Sequence, residues 1–318
     1  MPIYYGGKKI KSLYFGGKKI ASAWYGGKCV YRSSPFLSSP VQLWQWNASS
    51  GVNSVAVDSQ FNVYAGDSSQ NVTKLNLNGK QVWQRGFSGY VNSVAVDSQF
   101  NVYAGDSSQH VTKLDSYQWT ATDNVFSVAV DRNFNVYVGS GSQFGYVTKL
   151  DSTGKQVWQW GAPSSSAVNS VAVDSKLNVY AGDNGNHVTK LDSNGKQIWQ
   201  WVATNTVQSV AVDSQFNVYA GDGDEYATSY HVTKLDSNGK QIWQWTAPSP
   251  VNSVAVDSQF NVYAGGSNGY VTKLGIDGNQ LWQWKAPSSV RSVAVDSQFN
   301  VYAGDDSNHV TKLQTANQ

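Results

Sequence analysis

Cysteine is nearly absent from this chain: Cys29 is the single one among 318 residues, which excludes an intramolecular disulfide framework. Methionine occurs once and proline seven times. No apolar run is long enough to span a membrane or to form the core of a secretory signal peptide, so the reading expects no membrane insertion and synthesis in a cytoplasm. Charged residues make up only 14%. Gly, Asn, Ser, Val and Tyr dominate instead, a composition that disfavours helices and favours strands joined by tight turns. Net charge is only +2 but unevenly placed: residues 1–34 hold seven of the 23 bases and no acid, leaving 16 bases against 21 acids in the rest.

What is present is repetition. The string SVAVD starts at Ser54, Ser93, Ser127, Ser170, Ser209, Ser253 and Ser292, and each copy opens a unit of roughly forty residues. A period of this size with four short strands per unit is the signature of a β-propeller blade. The seventh copy ends after VTKL as QTANQ, without the QIWQW segment of the full units, and VQLWQW stands instead at Val41–Trp46, before the first copy. The expected fold is therefore all-β: a seven-bladed propeller over residues 41–318, closed by an N-terminal outer strand. Residues 35–40 are read as a linker and residues 1–34 as a short β-rich arm.

In the fourth unit the turn signals delimit strands at 168–173, 178–182, 187–191 and 197–201. Asn194-Gly195, repeated as Asn78-Gly79 and Asn238-Gly239, predicts a tight hairpin of type I′ between the third and fourth strands. The repeated Asp of SVAVD, as in Asp58 and Asp97, is read as a turn acceptor closing on DSQFN. Twelve of the thirteen tryptophans fall in the fourth strands, where paired rings such as Trp44 and Trp46 are expected to fill the wedge between diverging blades.

Comparing the seven copies with one another separates a constant face from a variable one. The connections between strands one and two and, outside the second unit, between strands three and four are nearly uniform. Those between strands two and three, and from blade to blade, differ in every unit. Both variable sets emerge on one side of a meandering blade, which makes that side the candidate ligand-binding face. Within the otherwise fixed VxSVAVD the second residue also varies, as Asn53, Asn92, Phe126, Asn169, Gln208, Asn252 and Arg291, and these are read as a ring at the channel mouth. The longest loop, in the fifth unit, adds Asp222, Asp224, Glu225, Tyr226 and Tyr230. Its acids lack the spacing of a calcium loop, and its tyrosines suit stacking on sugar rings. The four histidines, His110, His187, His231 and His309, share one repeat position before VTKL and are read as structural. No metal site is expected.

Composed from its copies, the repeat VAVDSQFNVYAGDSSQHVTKLDSNGK resembles the NHL-type propeller repeat, and VYAGD…VTKLDSNGKQIWQW resembles the quinoprotein-type repeat. The likeness covers about residues 41–318 and implies a fold rather than a function. A quinoprotein enzyme would need a cofactor pocket with a cation site, and catalysis by a nucleophile would need one activated side chain beside one base. Neither constellation stands out, so the expectation is a non-enzymatic protein without a cofactor, with a quinoprotein-type enzyme as the weakest alternative.

Residues 3–32 form a shorter repeat, IYYGGKKIKS, LYFGGKKIAS and AWYGGKCVYR, with too little core to stand alone. Tyr4, Tyr5, Phe15, Trp24 and Tyr25, with Lys8, Lys18 and Lys28, are the candidate docking residues. This arm resembles the GGKKI-type ladders of structural proteins from bacteriophages of Gram-positive hosts. The resemblance implies a virion component, in a tail, fibre or capsid decoration, whose arm docks on other virion proteins or associates copies of the chain and whose propeller binds a host-surface glycan or protein. A lectin-like or scaffold propeller of a bacterium is the alternative. Without a basic patch on the main domain, no nucleic-acid partner is expected.

Overall fold

The computed structural model describes residues 39–142, 144–163 and 166–315, together with the backbone alone of residue 316 and of strand segments between residues 4 and 38. Its main body is seven four-stranded antiparallel meanders, and the described residues contain no α-helix. Blade 4 runs through Val168–Val173, Val179–Asp183, His187–Leu191 and Gln197–Val202, within one residue of the bounds read from the turn signals. The blades are numbered from the unit that opens at Val52.

Blade 7 closes the ring. Its first three strands are Val290–Val295, Val301–Asp305 and His309–Ala316, and its outer strand is Phe36–Asn47. Trp46 pairs with Val310, Trp44 with Lys312, and Phe36 with Ala316. The outer strand thus begins at Phe36, inside the segment read as a linker, because the long last strand offers pairing partners beyond the register used in other blades.

The second strands, VYAGD and its variants, are buried along their full length, since each blade is covered on both faces. Glycine at their fourth position admits the next blade: a Cβ on Gly182 would lie 2.5 Å from Val207 Cγ1. The strand-one aspartate organises the adjacent turn as expected. Asp58 Oδ1 accepts from the backbone N–H of Gln60 and Asn62 at 2.8 and 2.9 Å, while Oδ2 accepts from Asn62 Nδ2 and the Tyr64 hydroxyl at 2.9 and 3.0 Å. These bonds hold Phe61 at φ +65°, and the pattern recurs at Asp174 with Leu177 at φ +67°.

The third-to-fourth hairpins depart from the expected turn. A type I′ turn requires positive φ at both central residues, yet Gly195 (φ +82°) is left-handed and Asn194 is not. Gly195 N–H donates to the Asp192 carbonyl, and Asp192 Oδ1 accepts from the backbone of Asn194 and Lys196 at 2.8 and 2.9 Å. The aspartate side chain selects a three-residue loop with a right-handed centre and a terminal glycine. That glycine lies under the preceding blade's aromatic ring: a Cβ on Gly195 would stand 2.8 Å from Trp158. Trp158 donates its indole N–H to the Ser193 carbonyl at 3.0 Å and tilts against Tyr137 of its own blade, centroids 6.1 Å apart. The first tryptophan of each W-x-W pair therefore does lie between blades. Most of these rings are half-buried, and Trp282 is buried.

The arm segments pair as Tyr4–Tyr5 with Lys8–Lys9, Tyr14–Phe15 with Lys18–Lys19, and Ser22–Tyr25 with Lys28–Arg32, each antiparallel. The side chains of Tyr4, Tyr5, Phe15, Trp24, Tyr25, Lys8, Lys18 and Lys28 lie outside the described residues, so the docking reading rests on sequence.

Candidate functional site

The candidate face is built from a β-bulge repeated seven times. In blade 4 Val168 pairs with Asp183 and Ser170 with Gly182, so Asn169 is the extra residue between them. The same offset appears in the other six blades. A bulge re-aims the side chain it carries. Beyond it the innermost strand is the edge of its sheet, so alternate backbone N–H groups point toward the neighbouring blade. Val94 N–H donates to Ser54 Oγ, and the series continues through Val128 to Ser93, Val171 to Ser127, Val210 to Ser170, Val254 to Ser209 and Val293 to Ser253. Val55 N–H completes it on Ser292 at 3.0 Å. Seven serine hydroxyls thus join the innermost strands into a closed circuit, a role the sequence alone did not reveal.

Four of the bulge residues are asparagines that clasp the next blade: Asn53, Asn92, Asn169 and Asn252 donate their side-chain amides to its valine carbonyl, at 3.1, 2.9, 3.1 and 2.9 Å. The first three and Phe126 do not line the cleft described next, although Asn169 also donates to Asn184 on its wall at 2.6 Å. Gln208, Asn252 and Arg291, from three consecutive blades, border one cleft of about 840 Å³ together with Asp224, Glu225, Tyr226 and Tyr230. Its volume falls in the range of roughly 300–1,000 Å³ usual for small-ligand sites. Thr206, Pro250, Ser267 and Ser289 complete much of the wall. They were not singled out from sequence, although all stand in the variable connections, and the presence of Thr206, Pro250 and Ser289 beside Tyr226 and Ser267 shows that both kinds of variable connection reach the same side.

The fifth-unit loop is held at its base and open at its tip. Gln208 Nε2 donates to the Gly223 carbonyl at 3.2 Å, Thr206 Oγ1 to Asp224 Oδ2 at 3.1 Å, and Tyr226 N–H to Asp224 Oδ1 at 2.9 Å. Gly223 adopts φ +117° and meets the Tyr230 ring, where a Cβ would lie 2.4 Å from Cδ1. Tyr226 projects from this base, 85% exposed. Across the cleft Arg291 Nε contacts Asp306 Oδ1 at 2.7 Å, with half of the arginine side chain open to solvent. Asp222 is not part of the wall. It is buried and accepts from the His231 backbone N–H at 2.7 Å, with its carboxylate 3.2 Å from His231 Nδ1. Burial raises its pKa, against the opposing pull of His231.

The same pairing explains the repeated histidines. His187 and His309 stand with Nδ1 3.1 Å from Asp183 and Asp305, and those aspartates also accept the histidines' backbone N–H. His110 turns toward Ser88 Oγ at 3.0 Å, with Asp106 at 3.6 Å. Each pair ties a third strand to the end of its second strand. Among the described residues no three His, Cys, Asp or Glu side chains gather as a metal-holding group.

The repeat itself decides the family. The family model described as outer membrane protein assembly factor BamB matches residues 118–318, more than half of the chain. The chain belongs to this family. A search of the curated proteins finds no match. In this BamB-family propeller the matched region carries the whole cleft, from Asn184 to Arg291, while the arm precedes it.

Proposed function

We propose that the chain is a non-catalytic recognition protein whose variable face binds a carbohydrate on a host surface and whose N-terminal arm anchors it in a larger assembly, a bacteriophage virion. The observation that carries the reading is the cleft. It combines an exposed tyrosine face, carboxylates at Asp224 and Glu225, Arg291, and the amides of Gln208 and Asn252, which also donate to the Gly223 and Val290 carbonyls. Sugars take aromatic stacking on their C–H faces and planar polar groups on their hydroxyls. The virion assignment rests on the likeness of the three Gly-Gly-Lys hairpins to phage ladders.

A glycan array probed with the full chain tests the binding claim. The expected result is a restricted set of glycans whose signal drops at least tenfold in Tyr226→Ala and Arg291→Ala, with melting temperatures unchanged. Binding that ignores both substitutions, or no binding to any glycan, removes the claim. For the arm, native mass spectrometry of the chain with and without residues 1–34 is expected to show an oligomer only when they are present.

The family description names an assembly factor, which favours a second reading as a scaffold propeller that holds other proteins. On that reading the cleft recognises a peptide loop, and a peptide rather than a glycan competes for Tyr226.

A further inference from the structure

The rim of the disc is built to one plan at most seams between blades. The first tryptophan of a fourth strand lies under the next blade's hairpin and gives its indole N–H to a main-chain carbonyl there. Trp44 donates to Leu77, Trp158 to Ser193, Trp199 to Ser237 and Trp243 to Ile276, at 2.9–3.0 Å. The lysine of VTKL points at the same oxygen in two of these seams, Lys149 to Ser193 at 3.4 Å and Lys190 to Ser237 at 3.2 Å. One carbonyl on a tight turn thus serves an aromatic donor and a cation together.

The seam between blades 1 and 2 has the donors but not the turn. From Leu191 to Trp201 blade 4 reads LDSNGKQIWQW, whereas from Leu114 to Trp119 blade 2 reads only LDSYQW. Its third and fourth strands are joined directly after Lys113, with Ser116 N–H on the Lys113 carbonyl. Trp83 therefore faces a cleft of about 370 Å³. A second departure occurs at the same place: the other tryptophan of the W-x-W pair is Arg85. Lys74, Arg85 and Lys113 all line this cleft, against Asp115 as the acid among its described lining residues. Arg85 stands 5.8 Å from the Trp83 ring centre and Lys74 5.2 Å from that of Tyr64. A comparable rim groove of about 440 Å³ between blades 7 and 1 is walled by the hairpin itself, at Leu77 and Asn78, and carries one cation, Lys312.

We propose that the blade 1–2 seam is a docking site for an acidic β-turn of a partner protein. Its main-chain carbonyl takes the place of the missing hairpin carbonyl on Trp83 and Lys74, and its carboxylate lies among Lys74, Arg85 and Lys113. Two observations converge on this occupant: the shape left open is that of a tight turn, and three cations border it where five of the other six seams supply a turn of the chain itself, the exception being blade 7, whose outer strand comes from the N-terminal side and leaves no hairpin there. The binding is expected to weaken with salt, because exposed charges are screened over about 10 Å at 0.1 M. The site is on the rim and independent of the cleft on the variable face.

The test is calorimetric titration of the full chain with a cyclised peptide presenting Leu-Asp-Ser-Asn-Gly-Glu. One site per chain is expected, with affinity falling at least tenfold in Arg85→Glu and in Trp83→Phe, which keeps an aromatic ring, though a smaller one, and removes the donor. Inserting Asn-Gly-Lys-Gln-Val after Ser116 rebuilds the hairpin and is expected to abolish binding while raising the melting temperature. Absence of binding at millimolar peptide, equal binding in Arg85→Glu, or acetate binding as tightly as the peptide would each overturn the proposal, the last by reducing the site to one for small anions.

Discussion

Ser170 shows how one hydroxyl earns its place in every repeat. It accepts the Val210 N–H, which points away from its own sheet because the innermost strand is the sheet's edge, so removing it leaves a donor without its partner near the centre of the ring. Ser170→Ala is expected to cost about 1–3 kcal/mol and to accelerate hydrogen exchange at Val210 in particular, a local readout that general loosening would not give. Lys273 is the opposite case, a residue whose presence costs stability. It is fully buried 5.0 Å from the Tyr263 ring centre, and burial pushes its pKa down to about 7 despite the opposing charge of Asp257. The unfolded chain, with lysine near its ordinary value of about 10.4, binds that proton more readily. The penalty is therefore complete below about pH 7 and is relieved as pH rises toward 10. Lys273→Met should melt higher than the parent at pH 7, and the gap measured by calorimetry should narrow by pH 9.5. Above pH 10 both proteins should weaken together, since burial and neighbouring aspartates hold tyrosines such as Tyr180 and Tyr219 un-ionised in the fold.

At the scale of the element, the hairpin between strands three and four shows both the reach and the limit of reading a sequence. Asn-Gly marks a tight turn correctly, but its type follows from Asp192 two residues upstream, whose carboxylate captures the backbone and keeps Asn194 out of the left-handed region. The need for glycine then has two sources, its φ of +82° and the Trp158 ring against which a Cβ would press. Gly195→Ala should cost about 1–3 kcal/mol for the backbone conformation alone. Gly86→Ala, with open space around the added methyl, should melt like the parent. Comparing the two melting temperatures separates the demand of the turn from ordinary tolerance on the rim. The SVAVD aspartate was legible because its bonds are local in sequence. The serine circuit was not, because its partners lie some forty residues away and meet only when the edge strands of neighbouring blades come together around the ring.

For the molecule as a whole, the ring was readable because a segment missing from one end of the array stands at the other. Seven internal copies also drew attention to Gln208 and Arg291, which depart from the common asparagine and border the cleft. They could not show that the repeated Asn53, Asn92, Asn169 and Asn252 clasp the next blade, or that Asp222 turns inward, because both depend on contacts between segments. Removing residues 36–47 takes away Trp44 and Trp46, worth roughly 2 kcal/mol each, and bares the edge of His309–Ala316. Such a chain should lose cooperative melting and aggregate on heating, followed by light scattering during a thermal ramp; a sharp transition at the parent temperature would deny the strand its closing role. That closing strand also imposes an order on biosynthesis. Phe36–Asn47 leaves the ribosome before any blade exists, and His309–Ala316 leaves it after six blades are complete. The first segment must wait, with the backbone edge that meets the last strand unpaired, for almost the whole duration of translation, so that chaperone demand should be set by the oldest part of the nascent chain rather than the newest.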